Sequence, residues 1–124
     1  MIKENIFQSI FDELSKYLLP EWKKLIVYLE YGNASYSISF YIQRKKEYIK
    51  CYDIPNVSEK ELTESFSKID KMISAERSNE MEEQWTNMTM VIDQTGHIHT
   101  DFDYSDISQG TYQFKKDWKK KYLI

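Results

Sequence analysis

Apolar residues at Ile2, Ile6, Ile10 and Leu14, with Phe7, Phe11 and Leu18 beside them, recur at three- and four-residue spacings and predict an amphipathic helix to about Leu18. Pro20 stops it. From Trp22 to Tyr31 the chain offers β-branched and aromatic residues, and Gly32-Asn33 supplies a hairpin turn. The next strand has the clearest alternation in the chain: Tyr36, Ile38, Phe40 and Ile42 share one face, while Ser35, Ser37, Ser39, Tyr41 and Gln43 share the other. That pattern predicts a sheet with one buried and one wet face. Arg44-Lys45-Lys46 reads as a second turn, and Glu47 to Ile54 as a third strand closed by Pro55. Ser58 with Glu61 three residues on has the form of a capping box, and Leu62, Phe66, Ile69, Met72 and Ile73 supply the buried stripe of a second helix to about residue 80.

Trp85 to Gly96 and His97 to Asp106 alternate apolar and polar residues on either side of a Thr95-Gly96 turn, which predicts a second hairpin. A terminal segment carrying Tyr112, Phe114, Trp118 and Tyr122 among lysines reads as a short helix or an irregular arm. The order is therefore α-β-β-β-α-β-β-α. Short turns between successive strands imply an α+β fold with an antiparallel sheet of about five strands and helices packed on one face. Tyr36, Ile38, Phe40, Ile42, Met88, Met90, Ile92, Ile98 and Phe102 form the expected buried face. Nothing along the sequence suggests a linker or an internal repeat, so residues 1–124 read as one domain.

The 124 residues, 41% of them hydrophobic and 15% aromatic, suffice for one ordinary core and argue against disorder. The net charge of −3 is unevenly spread: five lysines against Asp117 across residues 115–121 leave the remainder of the chain at −7. An acidic body disfavours direct nucleic-acid binding and favours a cationic partner. Cys51 is the lone cysteine, which excludes an intramolecular disulfide and suits a reducing, cytoplasmic setting. The longest strictly apolar run, Leu25 to Leu29, falls far short of the roughly 20 residues of a membrane span, and the first residues lack the uninterrupted apolar stretch of a signal peptide.

Candidate chemistry is sparse. His97, His99, Asp101 and Asp103 would share one face of a strand and offer imidazole and carboxylate ligands, the starting point for a small metal-dependent hydrolase. Same-face strand neighbours stand about 7 Å apart, too far for four of them to meet on one ion without a bulge. No metal and no cofactor is therefore expected. Cys51 has no histidine near it in sequence and reads as a small core residue. Gly32, Gly96 and Gly110 are the three glycines and sit at separate turns, so no phosphate-cradling loop exists and no catalytic residue is assigned. What remains is a binding surface: the acidic, aromatic strand end of Asp101, Asp103, Tyr104 and Asp106, with Trp85 as a further anchor.

Several segments in this order resemble the YezG-like family of bacterial immunity proteins, antitoxins to toxins of the LXG and related secreted polymorphic classes. They are the first helix closing in Leu19-Pro20-Glu21-Trp22-Lys23-Lys24, then Tyr52-Asp53-Ile54-Pro55 with Asn56-Val57-Ser58, then Trp85-Thr86-Asn87-Met88-Thr89, and the strand Gly96 to Tyr104 with Asp101-Phe102-Asp103. The resemblance covers nearly the whole chain. It implies an α+β fold, no catalysis, and tight binding to a toxic domain that in better-known members is a nuclease. The two histidines are outside the family pattern. A generic protein-binding adaptor is the other reading the residues leave open.

Overall fold

A computed structural model describes residues 4–32, 35–78, 85–104 and 112–123. Helix α1 spans Glu4–Leu14 and tightens into a 3-10 turn at Ser15–Tyr17, somewhat short of the expected end at Leu18. Leu19 to Trp22 then reverses the chain, the Trp22 amide donating to the Leu19 carbonyl at 3.2 Å. Pro20 holds the second position of this turn and Glu21 the third, at a φ of +61° that the turn geometry demands. Strands β1 (Trp22–Gly32), β2 (Ser35–Arg44) and β3 (Glu47–Lys50) follow as an antiparallel meander. β3 is shorter than the sequence suggests, because Cys51–Asp53 winds into a 3-10 turn ahead of Pro55.

Helix α2 (Glu59–Ser78) starts where the Ser58 hydroxyl accepts the Glu61 amide at 3.1 Å, one arm of the expected capping box. β4 (Asn87–Asp93) and β5 (Ile98–Asp103) form the second hairpin. The Asp93 carboxylate caps its turn, accepting from the Thr95 and His97 amides at 2.8 and 3.2 Å. Gly96 completes that turn at a φ of +92°, where a side chain would be strained although space is open. α3 covers Tyr112–Tyr122.

The sheet order is β3-β2-β1-β4-β5, all antiparallel, so β4 returns to pair with β1 and places it at the centre. Each face of β1 is buried by a different layer. Leu25, Val27 and Leu29 join Phe40, Ile42, Met88, Met90 and Ile92 beneath Ile10 and Leu14 of α1 and Leu62, Phe66, Ile69 and Ile73 of α2. Ile26 and Tyr28 point the other way, into a smaller cluster closed by Trp118 of α3 with Phe114 and Tyr122 beside it. The serine and Tyr41 face of β2 is thus partly roofed by α3. Placing every helix on one face is corrected here: a central strand apolar on both sides needs cover on both.

Strand parity is as expected, yet Tyr36 and Phe102, each next to the end of its strand, remain 43% and 38% exposed. A polar tie joins α1 to α2. The Tyr17 hydroxyl lies 3.0 Å from the Glu61 carbonyl and 2.6 Å from the Ser65 hydroxyl, and Ser65 donates to Glu13 at 2.8 Å. Burial alone would raise the Glu13 pKa, but hydrogen bonds from Lys16 and Ser65 outweigh it and hold the carboxyl below its ordinary value.

Candidate functional site

The register places the acidic residues in rows across the face that α3 covers. Glu30, Asn87 and Asp103 form one row, and Tyr28, Thr89 and Asp101 the next. α3 is fixed over them by Trp118, whose ring meets Tyr28 edge-on at 5.2 Å and whose indole N–H donates to the buried Thr89 hydroxyl at 2.9 Å. One turn on, the Tyr122 hydroxyl donates to Asp101 Oδ2 at 2.6 Å. Between α3 and β5 lies a groove of about 220 Å³ lined by Asp101, Asp103, Asp117, Lys121, Tyr122 and aromatic rings.

Its electrostatics follow from those contacts. The Tyr122 hydroxyl, and then His99 and Lys121, hold the Asp101 carboxyl below the usual carboxylate range. Burial first, then the hydrogen bond to Asp101 and its charge, push the Tyr122 phenol up to about 12. Tyr28 is also raised, by burial and by Glu30, whose carboxylate accepts its hydroxyl at 3.1 Å. Asp101 therefore stays charged and Tyr122 stays protonated throughout the neutral range.

Asp101 and Asp103 thus come together at one groove, with Tyr104 51% exposed just beyond the end of β5. Asp106 lies outside the described residues. Trp85 does not join them. It is 1% exposed, packed in the core beneath the opposite face between Tyr31 at 5.4 Å and Phe102 at 5.6 Å, so it supports the strand ends rather than offering a contact.

The histidines separate as well. His97 precedes β5 and turns towards Asp93 and Thr95, whereas His99 Nε2 sits 2.9 Å from Asp101 Oδ1. Among the described residues no three His, Cys, Asp or Glu side chains gather as a ligand set. Cys51 is fully buried, and burial pushes its thiol up, away from nucleophilic reactivity.

α3 also bounds a second cleft, of about 200 Å³, on the β2 side of the sheet. Lys50, Lys115, Lys119, Tyr52, Ser37 and Ser39 line it. The helix is thus a ridge with a largely acidic groove on one flank and a basic cleft on the other. The sequence held a signal for this division in the helical spacing of Lys115 and Lys119 against that of Asp117 and Lys121, but the lysines read together as one solvated run.

A model of the YezG-like immunity proteins matches residues 3–123, which takes in every element of the fold. The chain belongs to this family. Immunity protein YezG of Bacillus spizizenii strain W23 is 31% identical over 115 residues, an alignment covering 83% of this chain and 69% of that protein. Immunity protein YezG of Bacillus subtilis strain 168 is 28% identical over 112 residues, covering 84% and 74%. As a family of immunity proteins, YezG-like chains have their working surface where they meet another molecule. No described helix here is long and apolar enough to cross a membrane.

Proposed function

We propose that this protein works in the cytoplasm, without catalysis, by binding a cognate secreted toxin of the polymorphic class and occluding its active surface. The toxin domain is cationic, as a nuclease must be to hold phosphates. The observation that carries the reading is the groove itself, where Asp101, Asp103 and Asp117 line one concave strip beside exposed Tyr104. Fixed carboxylates next to an aromatic ring complement a basic surface, raise its rate of encounter and exclude substrate once docked.

The three carboxylates are not equivalent. Asp101 already serves Tyr122 and His99, so reversing its charge would also loosen α3. The cleaner test is Asp103→Lys with Tyr104→Ala. If Asp103 forms a buried charge contact, the change should weaken toxin binding by about 2–5 kcal/mol. Calorimetric titration against the purified toxin domain, circular dichroism as a check on folding, and survival of cells at graded toxin expression measure it. A folded variant with wild-type affinity and protection would remove the acidic groove as the inhibitory surface.

A further inference from the structure

Asn87 opens β4 and pairs in the register with Asp103 of β5 on one side and Glu30 of β1 on the other. It is 3% exposed, and what remains open of it lines the acidic groove. Thr86 fixes which way its amide points. The Thr86 hydroxyl donates its single proton to the Asp103 carbonyl at 3.1 Å, so towards Asn87, 3.3 Å away, it can only accept, and the Asn87 nitrogen must face it. Asn87 Oδ1 is left without a donor among the described residues. A buried acceptor is costly to leave unmet, so a group entering the groove gains by supplying the missing donor. Asp101, Asp103 and Asp117 line the same space with Lys121, whose ammonium lies 5.2 Å from the centre of the Tyr122 ring. The Asp103 carboxylate is close enough to that space to help raise the phenols of Tyr28 and Tyr122.

These acceptors suit an organic cation rather than a metal ion. Among the described residues no three His, Cys, Asp or Glu side chains gather closely enough to ligate one. The acceptors differ in kind, an amide oxygen beside carboxylates, and the rings of Phe114, Trp118 and Tyr122 stand along the walls. A guanidinium is planar, carries five N–H donors in a fixed fork and stacks on aromatic faces, and it is more weakly hydrated than an ammonium. At about 220 Å³ the groove falls below the range of drug-sized pockets, about 300–1,000 Å³, and has room for one side chain. Taking the groove as the toxin-contact surface proposed above, we propose that it is a socket for a single arginine side chain of that partner, its guanidinium held by Asn87 Oδ1 and the Asp103 carboxylate between the aromatic walls. Asp101 adds its charge, while its two oxygens stay bonded to Tyr122 and His99.

The test is an NMR titration of the full chain with N-acetyl-arginine methylamide, an arginine side chain without terminal charges. The Asn87 side-chain amide and the Trp118 indole N–H should shift and saturate, and N-acetyl-lysine methylamide, of equal charge, should bind about tenfold more weakly. Asp103→Asn keeps the shape and removes the charge; Asn87→Val fills similar space without an acceptor. Each should lower affinity for the capped arginine about tenfold, with the Trp118 indole resonance reporting that α3 stays docked. Equal binding of lysine, no saturable shift at the two reporters, or undiminished affinity in either folded variant would overturn the socket. The socket and the contact surface fail separately. If capped arginine moves neither reporter while Asp103→Lys with Tyr104→Ala weakens toxin binding, the socket is wrong and the acidic contact surface stands. If capped arginine saturates the groove while that double variant binds the toxin undiminished, the socket stands and the toxin contact lies elsewhere.

Discussion

Removing Trp118 tests whether α3 is held by one anchor. Its side chain is 9% exposed and packs against Tyr28, Tyr41 and Tyr122 at centroid distances of 5.2, 5.7 and 5.3 Å. A tryptophan can bury up to about 250 Å², which at about 25 cal/mol per Å² gives about 6 kcal/mol as an upper bound. Core truncations of aromatic residues measure about 3–5 kcal/mol, so Trp118→Ala should cost about that much. Trp118→Phe keeps most of the packing but deprives the buried Thr89 hydroxyl of its donor, for about 1–3 kcal/mol. The 11-residue helix is too short to persist alone, since isolated helices below about 12–15 residues are marginal in water. Hydrogen exchange should therefore show α3 amides losing about two orders of magnitude or more of protection in Trp118→Ala, while the amides pairing β1 with β2 stay slow. A loss below about 1 kcal/mol with α3 still protected would refute the single-anchor account.

Other consequences can be measured on the same footing. Phe40 is fully buried with Tyr17 and Phe66 rings at 5.6 and 6.1 Å, so Phe40→Ala should lower unfolding stability by about 3–5 kcal/mol in urea; a change below about 1 kcal/mol would place it outside the core. Lys45 occupies the β2–β3 turn at a φ of +55°, which L side chains disfavour, so Lys45→Gly should stabilise by about 0.5–1 kcal/mol, read as a shifted denaturation midpoint. Docking of α3 should also depend on pH at both extremes. Asp101 is depressed from 3.8, so its contribution is present above that value and lost as pH falls through the lower folded value. Tyr122 is raised from 10.0 to about 12, so its contribution is full below pH 10 and lost as pH rises through about 12. Trp118 fluorescence should change as pH falls below about 4 and again as it rises above about 10; a signal unchanged at both extremes would contradict this assignment.

The alternation in β2 and in the second hairpin made the strands and their inward residues legible, because a period of two has one reading once one face is buried. Ser58 and Gly96 marked a helix start and a turn through local rules that tertiary contacts did not override. The position of α3 was not read, although Leu25-Ile26-Val27-Tyr28-Leu29 contained the clue: an unbroken apolar run too short for a membrane fits a strand covered on both faces. β3 ended early because a backbone turn at Cys51 leaves little compositional trace. At the candidate site the sequence brought Asp101, Asp103 and Tyr104 to one strand end. It misplaced Trp85, since an aromatic residue at an element's edge looks the same whether it faces solvent or fills the gap between Tyr31 and Phe102. The basic cleft depends on which turn of α3 faces which strand, a relation that exists only after the helix docks.

The central position of β1 also fixes an order of assembly during synthesis. Its first neighbour, β2, is the next segment made, but its second is β4, with Leu25 pairing Ile92 and Tyr28 pairing Thr89. At about 5–20 residues per second, the ribosome takes several seconds to deliver that partner, and Trp118 arrives later still to cover Ile26 and Tyr28. For that interval the nascent chain holds a hairpin whose most apolar strand has one unpaired edge and one bare face. A pause or truncation before β4 would release the species most prone to associate with other chains, so the rate of translation through residues 60–93 bears directly on how much folded protein a cell obtains.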